Sequence, residues 1–297
     1  MQRLTRTALT LTGLPANPEH GEDLDRIRAV NAMKIADIDG VEVIVDGDRG
    51  PVVLMLHGWP DTRSLWDDQV AALSDRYRCV RITLPGFEPG SQRRPTSLQD
   101  MLTLFDKIVD RVSPDQPIVL LLHDWGCFFG YQYAMLRPDR VDRVVAIDIG
   151  DAGSPAHLAS LSAASKAMIA GYQLWLAAAW RVGGAAGNAM TRALARAIKA
   201  PAPPDQIHAG MNYPYDIRWT GSHGSFREAQ PLELACPLLF IYGRRKPFMF
   251  HSPEWAGWLA AQPGCKVIEA DAGHWVMKDA PAVANGAVRR WLGSATP

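Results

Sequence analysis

The segment with the most chemical content is Leu120-Leu121-Leu122-His123-Asp124-Trp125-Gly126-Cys127-Phe128-Phe129-Gly130. An apolar run stops at a His-Asp pair, and glycines follow at positions 126 and 130. That order predicts a buried strand that turns sharply into a helix, with small residues where the turn crowds the backbone. Asp124 would then sit at the apex of the turn, above the carboxyl edge of a sheet. Free N–H groups and the positive end of the helix dipole favour an anion there. A serine at such a point attacks acyl carbonyls with the help of a histidine. A carboxylate attacking an ester or amide would give a mixed anhydride, an uphill product. Its productive target is saturated carbon, where displacement yields an alkyl-enzyme ester that water can hydrolyse. The implied substrate carries a leaving group on sp³ carbon, as in an epoxide or a carbon–halogen bond. Aspartate is also a good helix N-cap, so Asp124 taken alone reads equally as a structural cap.

Two other segments supply what such a nucleophile needs. Asp271-Ala272-Gly273-His274-Trp275 follows the last apolar run, and a histidine on a short loop at the sheet's carboxyl edge is placed to be a general base. A lone histidine is more often structural. His57, His123 and His251 are rivals, of which His57 and His123 read as packing residues of the turns. His57-Gly58-Trp59-Pro60 comes directly after the run Val52–Leu56. Such a loop can aim a backbone N–H at a developing oxyanion, beside the N–H that follows the nucleophile. The two donors would be Trp59 and Trp125.

The elements that must hold these groups are legible as alternating apolar runs and helix-length gaps. Val41–Val45 alternates like a strand beside water, whereas Val52–Leu56 and Ile118–Leu122 are continuous apolar runs, as in strands covered on both faces. Further strands are expected at 78–84, 144–149, 237–242 and 266–270, and helices at 97–112, 126–137 and 281–292. Strand alternating with helix predicts an α/β fold with a mostly parallel, doubly wound sheet. From 152 to 230 the pattern is helical and Ala-rich, with Trp175 and Trp180 and then Pro201–Pro204. This divides the chain into an N-terminal extension (1–32), a core (33–151 and 231–297) and an inserted helical cap (152–230).

With 297 residues, 47% of them apolar, one large core is affordable. Lys+Arg 31 balances Asp+Glu 31, so no charge excess points to nucleic acid or to an anionic membrane. No apolar run approaches the roughly 20 residues that span a bilayer. The four cysteines lie far apart with no metal-ligand spacing, which suits free thiols in a reducing, cytoplasmic setting. The stretch 8–16 faintly resembles a secretory signal, but threonines interrupt its apolar run.

Taken together, the three motifs resemble the Asp-nucleophile branch of the α/β-hydrolases: epoxide hydrolases and the haloalkane and haloacetate dehalogenases, over roughly residues 38–295. The resemblance implies the α/β-hydrolase fold. It is nearest to the epoxide hydrolases, which favour an aromatic residue in the third place of His57-Gly58-Trp59-Pro60 and the His123-Asp124-Trp125-Gly126 elbow. Haloalkane dehalogenases often carry Asn or Glu where Trp59 stands. Haloacetate dehalogenases follow the nucleophile with arginines where this chain has Trp125 and Phe128, so a carboxylate substrate is not expected. The resemblance further implies two cap tyrosines that hydrogen-bond the epoxide oxygen. One is Tyr172, in Tyr172-Gln173-Leu174-Trp175; the other comes from Asn212-Tyr213-Pro214-Tyr215, with Tyr215 preferred to Tyr213. Trp125, Trp175 and Tyr213 are expected to line an apolar substrate pocket.

One position departs from the family pattern. The acid that orients the histidine usually follows the strand at 238–242, yet that loop reads Gly243-Arg244-Arg245-Lys246-Pro247. Asp148, at the end of the strand before the cap, is the expected substitute, with Asp151 as the alternative. The resulting expectation is an epoxide hydrolase using Asp124, His274, Asp148, Tyr172 and Tyr215, without cofactor or metal. Its partner would be a small apolar epoxide or haloalkane, with neither nucleic acid nor membrane, and a homodimer is the candidate assembly. A haloalkane dehalogenase built on Asp124 and His274 is the nearest rival. A non-catalytic ligand-binding protein of the same fold is the rival from another class.

Overall fold

The computed structural model describes residues 32–294, so the expected extension at 1–32 lies almost wholly outside the described residues. Strands β1 (Ala32–Ile38), β2 (Val41–Asp46) and β3 (Val52–Leu56) lead to helix α1 (Asp67–Leu73) and β4 (Arg78–Arg81). Helix α2 (Leu98–Val112), β5 (Ile118–His123), α3 (Trp125–Leu136) and β6 (Val141–Ile147) follow. Four helices come next, α4 (Pro155–Ser160), α5 (Ala163–Val182), α6 (Gly184–Ala197) and α7 (Tyr213–Thr220). The chain then closes with β7 (Leu238–Gly243), α8 (Pro253–Ala260), β8 (Lys266–Ala270), α9 (Val276–Asp279) and α10 (Pro281–Gly293).

The eight strands form one sheet in the order β1-β2-β4-β3-β5-β6-β7-β8. β2 runs antiparallel to β4, and every pairing from β4 through β3 to β8 is parallel. The fold is therefore the mostly parallel, helix-covered sheet that the alternation implied. It has a physical cause in the central strands. Leu54, Leu56, Leu120, Leu122, Val144 and Phe240 join one apolar cluster, and their neighbours Val53, Met55, Val119, Leu121, Val145 and Leu239 join the other. Successive side chains of a strand point to opposite faces. Both faces are covered, so an uninterrupted apolar run is what these strands require. Each fully buried Leu or Val contributes about 1.5–3 kcal/mol of transfer free energy.

Between β6 and β7 the described residues contain helices and irregular chain but no strand. α5 packs on α6 and α7, and the segment from 221 to 237 carries no helix. No helix among the described residues is long and apolar enough to cross a membrane.

Helix α3 lies close against the ends of β3 and β5. A Cβ on Gly126 would overlap the carbonyl oxygen of Leu56 and press on that of His57, and one on Gly130 would meet the Leu122 side chain. The glycines after the turn thus let the helix lie against the strand ends. Gly126→Ala is expected to lower the unfolding free energy by about 1–3 kcal/mol, read as a lower urea midpoint at unchanged slope. An unmoved midpoint would mean that strand and helix can separate at no cost.

Candidate active site

Asp124 occupies the single residue between β5 and α3. Its backbone has φ 51° and ψ −123°, a region that non-glycine residues seldom enter and that costs of order 1–3 kcal/mol. The chain reaches it because the β5 side is fixed by fully buried leucines while α3 starts at once, with the Cys127 N–H on the Asp124 carbonyl at 2.9 Å. Such a turn lifts the carboxylate off the sheet edge, where its side chain remains 16% exposed.

Three elements converge on that carboxylate. From the loop after β3, the Trp59 backbone N–H donates to Asp124 Oδ1 at 2.6 Å. Gly58 permits this approach, since a Cβ there would collide with Asp124 Oδ1 and with the Trp125 nitrogen. The Trp125 N–H opens α3 beside it. From the loop after β8, His274 Nε2 lies 3.6 Å from Asp124 Oδ2. Its other ring nitrogen, Nδ1, donates to Asp148 Oδ2 at 2.6 Å. Asp148 directly follows β6 and is fully buried, and the Gly243 N–H donates to its Oδ1 at 3.0 Å.

The two candidates for the orienting acid separate cleanly. Asp151 accepts from the Ser252 N–H and from the Ser252 and Ser154 hydroxyls at 2.6–2.8 Å, and so closes a loop. Asp148 is the acid against His274. The rival histidines are held elsewhere. His57 Nε2 accepts the Leu84 N–H at 3.0 Å, and burial pushes its pKa down to about 4. His251 packs against Tyr242 and Phe240. His123 is the exception: it lies against His274 with ring centres 4.5 Å apart and planes tilted by 44°, and burial keeps it neutral, with a pKa lowered to about 3.

The charges in this row set one another. Burial acts to raise the pKa of Asp124, but the hydrogen bond and charge of His274 outweigh it and hold the carboxyl below its ordinary value. Asp148 is likewise pushed up by burial and pulled lower by His274 and Lys246. Burial favours neutral His274, yet its two carboxylate partners raise it to about 9. In the resting site it is an imidazolium between two anions.

Above Asp124 lies a cavity of about 830 Å³ lined by Trp125, Phe128, Tyr172, Tyr215 and Phe250, among others. Tyr172 from α5 and Tyr215 from α7 stand with ring centres 6.2 Å apart. Burial pushes the Tyr172 hydroxyl up to about 12 and holds that of Tyr215 well above its ordinary value, so both stay protonated. The Trp125 indole packs edge-on against Tyr215, with ring centres 5.3 Å apart.

Two expected pocket residues stand outside the cavity. Tyr213 is fully buried between Phe87 and Trp180, on the opposite side of its helical turn from Tyr215. Trp175 is 44% exposed and donates its indole N–H to the Met190 carbonyl, because α5 turns Leu176 and Ala179 inward instead. Three residues with a part in the site went unnoticed. Asn212 accepts the Trp59 indole N–H at 2.8 Å. Asp61, directly after the His57–Pro60 motif, accepts the Trp275 indole at 2.8 Å. Lys246 ion-pairs with Asp148. A carboxylate right after a His-Gly-x-Pro turn was the one visible signal among them.

Comparison with known proteins agrees with this architecture. A family model described as alpha/beta hydrolase fold matches residues 51–194. The first curated relative, "Probable oxidoreductase EphD" of Mycobacterium tuberculosis, is 36% identical over 126 residues, which is 40% of this chain and 21% of that protein. The chain thus spans about a fifth of that relative's length. Similarity runs further along two others. A "Cis-3-alkyl-4-alkyloxetan-2-one decarboxylase" of Xanthomonas campestris pv. campestris is 28% identical, covering 82% of this chain and 90% of that one. An "Epoxide hydrolase" of Caballeronia sordidicola is 25% identical, covering 84% and 89%. Among solved structures, a mutant epoxide hydrolase of Bacillus megaterium superposes with a TM-score of 0.66 at 20% identity, covering 87% of this chain and 99% of that one.

Asp61 generates a pH prediction. It is buried, and desolvation, with the nearby charge of Asp124, raises its pKa from 3.8 to about 7 despite the Trp275 hydrogen bond. The native protein therefore keeps a proton that the unfolded chain loses, so this carboxyl's contribution to stability falls as pH rises from about 4 to about 7. Asp61→Asn is expected to gain stability relative to wild type across that window, measured by urea denaturation at each pH. A constant difference would mean that Asp61 ionises normally.

Proposed function

We propose that this chain, a member of the α/β-hydrolase superfamily, is an epoxide hydrolase that opens its substrate to a vicinal diol through an ester on Asp124. The observation that carries this reading is that Asp124, Tyr172 and Tyr215 line one cavity, with the two tyrosine rings 6.2 Å apart. An epoxide bound between them meets a nucleophile at carbon and two proton donors at oxygen.

The steps follow from the charges. The Trp59 N–H holds Oδ1, leaving Oδ2 to attack the less hindered ring carbon. Tyr172 and Tyr215 hydrogen-bond and protonate the departing oxygen. Ester formation removes the negative charge of Asp124, one of the two anions that hold the proton on His274. The imidazole pKa then falls, its Nε2 proton passes to the tyrosinate that ring opening left, and the neutral ring becomes a base for water. Asp148 keeps the ring oriented. The hydroxide adds to the ester carbonyl, the Trp59 and Trp125 N–H groups stabilise the oxyanion, and its collapse breaks the bond to the alkyl oxygen, which leaves as the diol with the proton held on His274. The helices between β6 and β7 act as the cap of this site.

A haloalkane dehalogenase would need indole N–H groups free for halide. Here one of the two, that of Trp59, is already taken by Asn212 at 2.8 Å. A second reading is favoured by the long match to the Xanthomonas relative, whose name gives its substrate as an alkylated oxetan-2-one. That ring also offers a strained C–O bond on sp³ carbon to a carboxylate.

The deciding measurement incubates purified protein with aryl and alkyl epoxides, haloalkanes and a 3,4-dialkyl oxetan-2-one, following diol, halide and carbon dioxide. Diol is expected, abolished in Asp124→Asn and reduced about 10²-fold or more in Tyr215→Phe. His274→Gln is expected to accumulate the ester, seen as a substrate-sized mass increment on the peptide bearing Asp124. Halide alone, or carbon dioxide alone, would move the assignment to the corresponding rival.

A further inference from the structure

The loop after β7 holds a cation where an orienting acid was looked for. The Lys246 side chain is only 7% exposed, and its ammonium ion-pairs with Asp148 Oδ1 while His274 Nδ1 holds Oδ2. Its neighbours are unlike it. Arg244 and Arg245 are exposed, and both guanidiniums reach Asp271 at the surface, at 3.1 and 3.7 Å. Removing an ammonium from water is expensive, so a buried lysine is tolerated where its charge meets a specific anion.

Here that anion is shared. A lone Asp148 would present its full charge to His274 and stabilise the imidazolium. With Lys246 on the other oxygen, part of that charge is already balanced. We propose that Lys246 is a positioning residue of the hydrolytic step, which fixes Asp148 and lowers the basicity of His274 so that the imidazole is free to deprotonate water near neutral pH. This deepens the epoxide-hydrolase reading and rests on it.

The surrounding charges leave this role to Lys246. His274 is faced by Asp124 from the elbow, Asp148 from the end of β6, neutral His123 from the end of β5 and Asp61 from the loop after β3. Lys278 acts on Asp61. Asp148 is faced by His274 and Lys246, by His123, by His251 from the loop before α8 and by Cys127 of α3. His123 and His251 are buried with depressed pKa values, and Cys127 is held as a thiol. Among these groups, the lysine is the one cation besides His274 that faces Asp148.

The test compares Lys246→Met, Lys246→Gln and Lys246→Arg with wild type in two readouts: the pH profile of diol release and the NMR titration of the His274 imidazole. Loss of the charge is expected to move the acid limb and the imidazole pKa upward by about one unit, with turnover below the limb falling about tenfold. Arginine, which keeps the charge, is expected to leave both near wild type. Glutamine keeps a donor to Asp148 and carries the test if the methionine variant does not fold. Coincident titrations in wild type and the glutamine variant would overturn the proposal. So would an arginine variant shifted as far as glutamine, because shape and not charge would then be responsible. If wild type releases no diol from any epoxide, the functional reading fails, while the imidazole titration still decides whether Lys246 controls His274.

Discussion

The site depends on a buried row of alternating charge, running Lys246, Asp148, His274, Asp124. Each of these groups would be costly to remove from water alone. Placed in sequence, every charge has a neighbour of opposite sign, and the two inner members touch one on each side. The row begins in the interior, where Asp148 is fully buried, and ends at the Asp124 carboxylate beneath the cavity. A change of charge at that open end would alter the balance along the whole row.

The fold supplies the row by bringing strand ends together. β5 delivers Asp124, β6 Asp148, the loop after β7 Lys246 and the loop after β8 His274, while the loop after β3 adds the Trp59 N–H. All five strands run parallel in one sheet, so their carboxyl ends open along a single edge. That edge is where ligands bind in sheets of this kind. Close packing then removes play: with Gly58 and Gly126 in place, the backbones of the β3 loop and of α3 approach closely enough for a main-chain N–H to touch the carboxylate.

Much of this was legible in the residues because turns and strands obey strict local rules. An apolar run broken by His123-Asp124 and followed by spaced glycines has few structural solutions, and a histidine after the final strand falls on the same edge. Asp148 was legible as a carboxylate at a strand end. Lys246 was not. In the run Arg244-Arg245-Lys246 it reads as solvated charge, and only the fold turns the third residue inward. Tyr213 and Tyr215 are both buried, and two residues along a helix reverse direction, so the choice between them needed the helix phase. Trp175 shows the limit of composition: a large apolar residue in a helical stretch can face outward.

The hydrogen bond from the Trp59 indole to Asn212 joins the loop whose main chain reaches Asp124 to the segment that carries Tyr215. Asn212 is itself anchored through Thr191 to the Gly187 carbonyl of α6. Trp59 therefore works as a common datum: its main chain holds the Asp124 carboxylate, and its side chain holds the segment that carries Tyr215. The outer surfaces of the inserted helices can drift in sequence, and the cavity walls with them, while that gauge keeps the span between Asp124 and Tyr215 constant. Substrate range and reaction geometry are thereby written on different residues and can evolve at different rates.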